Sequence, residues 1–154
     1  MKTADVEFEF PVLGFTPDGE MWGFPDRNSL TSCGPRTLKL DMERDMELVD
    51  GQGRRWVVRS IQRIGLGYPL VRWLFWSLLS TPQYRIEHDL EEATPLPFEE
   101  VRRRAVTYLE GHWEDYCAED EREEVLVPLL ARLHSSSSAA EVFELLGLDS
   151  FMAY

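Results

Sequence analysis

A chain of 154 residues with 44% hydrophobic and 12% aromatic side chains can bury one core, and we expect a single domain over residues 1–154. This composition excludes disorder despite the net charge of -12. Residues 1–77 carry 10 basic and 11 acidic side chains, whereas residues 78–154 carry 6 and 17. A chain of this sign repels nucleic-acid phosphates and anionic lipids, so we expect no nucleic acid and no membrane as partners, and instead a basic protein.

The first residues and the cysteines favour a cytoplasmic protein without a disulfide. Residues 1–5 lead into alternating Glu and Phe rather than into the apolar stretch of a signal peptide. Cys33 and Cys117 lack paired spacing, so both are predicted to be reduced and structural. The alternative for Cys33 is a nucleophile beside Arg36, although no histidine partner is evident.

The N-terminal part of the chain is predicted to form strands. Residues 5–13 alternate between apolar and acidic side chains, which is the period of a half-buried strand. Residues 16–19, with the sequence TPDG, form a turn in which proline presets φ and glycine can take a positive φ. A short strand should follow near residues 20–24, and an irregular loop over residues 25–35.

A hairpin is predicted over residues 38–50 and 54–64, on either side of a Gly-Gln-Gly loop. A three-residue loop pairs positions whose numbers sum to 104, and this register keeps both faces consistent. We therefore interpret the arginines as cross-strand partners rather than as a nucleic-acid patch. The register predicts these opposing pairs: Leu48 and Trp56, Met46 and Val58, Asp45 and Arg59, and Asp41 and Arg63.

Residues 69–80 are predicted to form a helix of about 18 Å, too short to cross a membrane. One half of this helix surface is apolar, and the other half combines Arg72, Trp73 and Trp76 with two serines, a composition typical of binding hot spots. These three are predicted partner-binding residues, unless the loop at 25–35 or a C-terminal helix covers the indoles. We expect the apolar half to face the core, namely Leu70, Val71, Leu74, Phe75, Leu78 and Leu79.

The remaining elements are a strand at 84–90 and helices in the last third of the chain. Residues 98–113 show helical spacing, and Ser138 should cap a last helix at 139–146. Asp120 and Glu123 form a capping box for a helix that Pro128 should kink or divide. The fold class is therefore α+β: a mainly antiparallel sheet of about five strands in the N-terminal two-thirds, three C-terminal helices, and one inserted helix near 69–80.

Residues 114–124 contain seven acids and one arginine, without the order of ligands of a calcium loop. One interpretation is a solvated helix start, where acids suit the macrodipole. The other is a surface that meets a cationic partner. On this second interpretation the predicted partner-binding residues are Glu114, Asp115, Glu119, Asp120 and Glu121.

His88 and His112 both fall on apolar faces, and the imidazoles would approach each other if those faces met, with Cys117 nearby. A metal site needs three or four convergent ligands, which this spacing does not provide, so we expect no metal. We also expect no cofactor, because the Gly65-x-Gly67 sequence lacks the third glycine and the βαβ context of a dinucleotide fingerprint.

These features favour an acidic protein-binding module of the inhibitor, immunity or adaptor kind, acting on a basic protein. The missing catalytic motif favours binding over enzymatic activity. One alternative is a small enzyme or ligand-binding domain whose site is built from scattered residues, including His88 and His112. Another is a structural homo-oligomer, such as a homodimer, that buries the tryptophan face.

Overall fold

The computed structural model describes residues 1–67, 69–72, 74 and 82–148. The fold is α+β, as predicted, with a curled antiparallel sheet of six strands in the order β2-β1-β4-β5-β6-β3. The strands are β1 (Val12–Phe15), β2 (Met21–Phe24), β3 (Ser32–Cys33), β4 (Glu47–Val49), β5 (Arg55–Leu66) and β6 (Tyr84–Ala93).

Among the described residues, two short α-helices precede β4, and three α-helices follow the sheet. Of the helix predicted at 69–80, residues 70–72 and 74 are helical, residue 69 is not, and residues 73 and 75–80 lie outside the described residues. The labelled helices are α1 (Arg27–Leu30), α2 (Pro35–Leu40), α3 (Phe98–Gly111), α4 (Val127–His134) and α5 (Ala139–Leu146).

Each face of the sheet has its own core, because successive side chains of a strand point to opposite faces. Leu13 and Val49 face α3, α4 and α5 and pack into the first core. Val12 and Leu48, their direct neighbours in sequence, join the second core on the other face. That second core is closed by the N-terminal residues Val6 and Phe8 and by α1. We refer to these faces as the helical face and the N-terminal face.

The predicted hairpin register is confirmed where both strands exist. Leu48 pairs with Trp56, and the flanking pairs follow the same sum of 104. Asp45 takes a positive φ of 60° and donates its N–H to the Val58 carbonyl at 2.8 Å, which ends the ladder. The Arg59 guanidinium bridges Asp45 at 3.3 Å and Glu91 of β6 at 2.7 Å, as expected of a cross-strand partner.

The predicted pair of Asp41 and Arg63 is wrong, because residues 35–40 form α2 instead of a strand. Pro35 occupies the first turn of that helix, where its missing N–H costs nothing. Asp41 ends the helix in the left-handed conformation and pairs with Arg44 at 2.6 Å. Arg63 lies over the ring of Tyr84 at 4.4 Å instead.

Two further boundaries differ from the sequence predictions. The strand predicted over residues 5–13 is confined to β1, although Val6, Phe8 and Val12 are buried on one face as the alternation indicated. The loop predicted over residues 25–35 contains α1 and β3. Asp26 caps α1 by accepting the Ser29 N–H at 2.7 Å, a local signal that the prediction missed.

The C-terminal helices begin and end largely where the sequence indicates. Ser138 accepts the Glu141 N–H at 3.2 Å, and Gly147 ends α5 with a φ of 60°. Pro128 lies in the first turn of α4, where a π-helical turn over Arg122–Leu126 changes into an α-helix, so the predicted division is confirmed. Asp120 is not a cap, since it lies inside a 3-10 turn.

α5 sits directly on the sheet because residue 23 of β2 is glycine. A Cβ at Gly23 would lie 2.5 Å from side-chain atoms of both Phe143 and Leu148, closer than real contacts allow. The missing side chain therefore lets the last helix close the helical face.

Candidate functional site

His88 belongs to a buried polar cluster on the N-terminal face. Its Nε2 lies 2.5 Å from a carboxylate oxygen of Glu43, and its Nδ1 lies 2.9 Å from the Thr3 hydroxyl. None of the three residues is more than 1% exposed. Buried charged groups are tolerated only when paired in this way, so the cluster anchors the N-terminal segment and the α2–β4 connection to β6.

Cys33 borders this cluster without being activated by it. Burial, and then the charge of Glu43, raise the pKa of the Cys33 thiol to about 12. A nucleophilic cysteine needs a thiolate at neutral pH, which requires a shift in the opposite direction. Cys33 and Cys117 are both free and buried, consistent with structural thiols.

His112 lies on the helical face, at the end of α3, in a cleft of about 410 Å³. Its ring stacks on Tyr108 with centroids 4.3 Å apart. Nδ1 lies 2.9 Å from the Tyr108 carbonyl, and Nε2 lies 3.0 Å from a carboxylate oxygen of Glu20. The cleft is lined by the β1–β2 turn and by α3, including Phe15, Asp18, Glu20, Met21, Arg103, Arg104, Thr107 and Tyr108.

The surroundings of the His112 imidazole favour its cationic form. Partial burial lowers its pKa, but the Tyr108 carbonyl and the Glu20 carboxylate outweigh that effect, and with Asp115 they leave the pKa raised above its ordinary value. The geometry agrees, because both ring nitrogens face oxygen acceptors and only an imidazolium has two N–H donors.

The two histidines do not meet, so the site that the sequence suggested between them is not formed. His88 extends from β6 towards the N-terminal face, where its partners are Glu43 and Thr3. His112 follows α3, whose buried residues belong to the helical-face core. Within the described part of the chain, no three His, Cys, Asp or Glu side chains are grouped as metal ligands.

The acidic segment, which we define as residues 114–124, is held against the fold by apolar and aromatic side chains at its start and immediately before it. Trp113 and Tyr116 pack against the helical-face core, and Cys117 is buried within it. The Tyr116 hydroxyl donates a hydrogen bond of 2.9 Å to the Leu146 carbonyl of α5. Because these anchors point inward, the carboxylates between them point outward.

All predicted acidic site residues are exposed and lie on one stretch of surface. They occupy the 3-10 turns Trp113–Asp115 and Glu119–Glu121 and continue into Glu123 and Glu124 of the π-helical turn. None of the seven carboxylates of the segment forms an ion pair with any described residue; Glu121 accepts only the Ala118 N–H at 3.2 Å. Beside them, Val125 and Val127 are 39% and 57% exposed.

The predicted site residue Arg72 is exposed, whereas Trp73 and Trp76 lie outside the described residues. Leu70, Val71 and Leu74, which the sequence placed in the core, are 60%, 81% and 51% exposed. That prediction is wrong for these three residues: they lie in the connection between β5 and β6 and belong to neither core. Phe75, Leu78 and Leu79 lie outside the described residues. We refer to Leu70, Val71 and Leu74 as the apolar surface.

The comparisons with known proteins give no relative from which a function could be transferred. No family model, no curated protein and no solved structure matches this chain. No helix in the described ranges is long and apolar enough to cross a membrane.

Sequence reasoning missed Glu43 and Glu20, the carboxylate partners of the two histidines. The sequence predicts Glu43 in the middle of a strand and Glu20 at the edge of another. Each lies far from its histidine in the chain, and no spacing rule connects them. An unpaired histidine on an apolar face was the only available signal that a distant acid was needed.

Proposed function

We propose that this protein is a cytoplasmic protein-binding module whose acidic segment docks a basic partner protein, in the manner of an inhibitor, immunity or adaptor protein. The observation that carries the proposal is the row of exposed carboxylates in the acidic segment that have no ion pair among the described residues. Clustered like charges repel one another, and a cationic partner relieves that repulsion while being steered towards the surface.

Two valines beside the carboxylates, Val125 and Val127, offer apolar contacts that a partner could bury. Exposed charge mainly accelerates association, whereas desolvated apolar contacts hold a complex together. Val125 and Val127 stand at the C-terminal end of the row of carboxylates, so a basic partner with an apolar side chain among its lysines or arginines matches both features. Arg72 and the apolar surface are a second region that such a partner could contact.

The proposal is tested by affinity capture from the native lysate with two charge-matched variants. The first replaces Glu119, Asp120, Glu123 and Glu124 by their amides. The second makes the same change of four charges elsewhere, at the exposed Glu7, Glu92, Glu99 and Glu144. We expect the wild type and the second variant to capture the same protein of high isoelectric point, in a salt-sensitive manner, and the first variant to lose it. Equal capture by both variants would contradict the proposal.

A small-molecule site is a second candidate, favoured by the cleft that contains His112. A concave site holding a histidine with a displaced pKa is a general feature of ligand-binding and catalytic sites. NMR screening of small polar ligands tests it: shift changes confined to Tyr108, His112 and Glu20 would support a ligand site, and a flat response would exclude the ligands tested.

A homo-oligomer is a third candidate, favoured by the three exposed side chains of the apolar surface. Light scattering after size exclusion should then give a mass above one chain, and Leu74→Ser should reduce it. A monomer mass for the wild type at high concentration would remove this candidate.

A further inference from the structure

His112 lies at the junction of α3 and the acidic segment. His112 follows Gly111, the last residue of α3, and immediately precedes the 3-10 turn Trp113–Asp115. Its carbonyl accepts the Asp115 N–H at 3.0 Å, so its position determines where that first acidic turn begins. Whatever fixes His112 also fixes the start of the acidic segment.

The ring is fixed by two acceptors on different elements. Tyr108 belongs to α3, one turn earlier, and Glu20 immediately precedes β2 in the hairpin formed by β1 and β2. Satisfying both requires two N–H donors, and a neutral imidazole has one. Loss of the second proton therefore leaves one of two oxygen acceptors facing a bare ring nitrogen, which is repulsive.

The charges around His112 favour the proton. Glu20, which is 46% exposed, faces it from the hairpin, and Asp115 faces it from the acidic segment. The α3 arginines that line the cleft have their own partners: Arg103 binds Glu100, and Arg104 binds Glu47 and Glu100. From the β1–β2 turn, Asp18 accepts the Thr16 hydroxyl proton. On the other side, Arg122 lies over the ring of Trp113 at 4.3 Å.

We propose that the proton on His112 clamps the first turns of the acidic segment against the β1–β2 hairpin, so that binding of a basic partner weakens as this proton is lost. The inference rests on the proposed function, because it concerns the regulation of the same surface. With the proton present, the carboxylates are held in one arrangement; without it, Glu20 and the acidic turn repel each other, and the arrangement loosens enough to outweigh the attraction that one added negative charge exerts on a basic partner.

The clamp is tested first without any partner. The imidazole of His112 is titrated by NMR, and amide hydrogen exchange of residues 113–121 is followed between pH 5.5 and 8.5, corrected for intrinsic exchange. In the wild type, the pKa of His112 should lie above its ordinary value, and protection should fall as pH passes that midpoint. In Glu20→Gln, the midpoint should fall and most of the change in protection should disappear.

Glu110→Gln is the matched control, since it removes an exposed carboxylate from the last turn of α3 that has no ion pair with any described residue. It should behave as the wild type. Unchanged protection of residues 113–121 across the titration of His112 would overturn the clamp, as would an equal response of the two variants.

The second test uses a short lysine-rich peptide with two leucines as probe, because lysine stays charged between pH 6 and 8. We expect wild-type affinity measured by calorimetry at low salt to be about fivefold higher at pH 6 than at pH 8, and Glu20→Gln to show less than twofold change. Binding that is equal at both pH values overturns the clamp alone. No binding at either pH, together with a normal His112 response in the first test, overturns the proposed function instead.

Discussion

The carboxylates along the sheet and those of the acidic segment are arranged differently. On the sheet, Glu47 meets Arg55 and Arg104, and Glu91 meets Arg59. Glu100 of α3 lies between Arg103 and Arg104, whose hydrogen bonds lower its pKa to about 2. In the acidic segment, the seven carboxylates have no such partners among the described residues. Charges of the first kind are used within the fold, whereas those of the second remain available to another molecule.

A third group of carboxylates is buried, and these should be essential to stability because water cannot replace their hydrogen-bond partners. Glu43 and Asp50 are each 1% exposed. Asp50 accepts the N–H groups of Glu9, Gln52 and Arg54, and also the Arg54 guanidinium at 2.7 Å. The cost of removing a carboxylate should therefore follow its burial and its hydrogen bonds, rather than its charge.

The largest effect is expected at the buried pair of Glu43 and His88. Glu43→Ala leaves Nε2 of the buried imidazole without its carboxylate partner and should lower the free energy of unfolding by about 3–5 kcal/mol in urea titrations. Replacing both residues by leucine should recover much of that loss, because no unpaired polar group then remains. A cost below about 1 kcal/mol for Glu43→Ala would contradict this view of the pair.

Asp50 should come next. Asp50→Ala removes the acceptor of several hydrogen bonds in the β4–β5 turn and should cost about 2–3 kcal/mol in the same titrations. Asp45→Asn is the exposed control: the carboxylate of Asp45 is 56% exposed beside Arg59, and asparagine tolerates the positive φ of this position, so loss of the charge should cost at most about 0.5 kcal/mol. Equal costs for the two substitutions would show that burial does not decide the outcome.

A smaller effect, below about 1 kcal/mol, is expected from the pair of His112 and Glu20, because both are partly exposed. The pKa of His112 is raised in the folded state. Its contribution to stability is therefore fully present below the unfolded pKa of about 6.5 and is lost as pH rises through the folded pKa. The stability difference between wild type and Glu20→Gln should shrink accordingly between pH 6 and pH 8.5, and a difference that grows with pH would contradict the assignment.

The smallest effect on stability is expected in the acidic segment itself. Neutralising Glu119, Asp120, Glu123 and Glu124 together should change the free energy of unfolding by no more than about 0.5 kcal/mol, with an increase rather than a loss. Added salt should stabilise the wild type more than this variant, since it screens the same repulsion. A clear loss of stability of this variant at low salt would contradict the prediction, because it would show that these carboxylates stabilise the fold as those of the sheet do.

Local patterns predicted the hairpin register and most helices, because turn residues, caps and periodicity act over a few positions. The Gly-Gln-Gly loop fixed the pairing of Leu48 with Trp56, and Ser138 with Gly147 delimited α5. The predictions failed where tertiary contacts determine the conformation of a segment. Residues 5–11 have the alternation of a strand, yet in the fold they mainly cover the N-terminal face, with Arg27 and Arg54 hydrogen-bonded to their carbonyls.

The candidate site was predictable in part for the same reason. Seven acids within eleven residues are visible as a run, and the structure places them on the surface. That His88 and His112 occupy opposite sides of the sheet follows from strand order and helix packing, which sequence spacing alone does not reveal. The pairing of Glu20 with His112 spans 92 positions and depends on how α3 crosses the hairpin.

The close seat of α5 above Gly23 has a consequence for biosynthesis. The helical-face core joins residues near 13 and 21 with residues beyond 139, so a nascent chain displays its finished strands well before the cover for them emerges from the ribosome. During that interval the apolar groove over Gly23 is exposed to solvent because α5 does not yet cover it. It is then accessible to a chaperone or to a second copy of the chain. A bulkier residue at position 23 would lengthen that interval, because its side chain would clash with Phe143 and Leu148 as the helix docks.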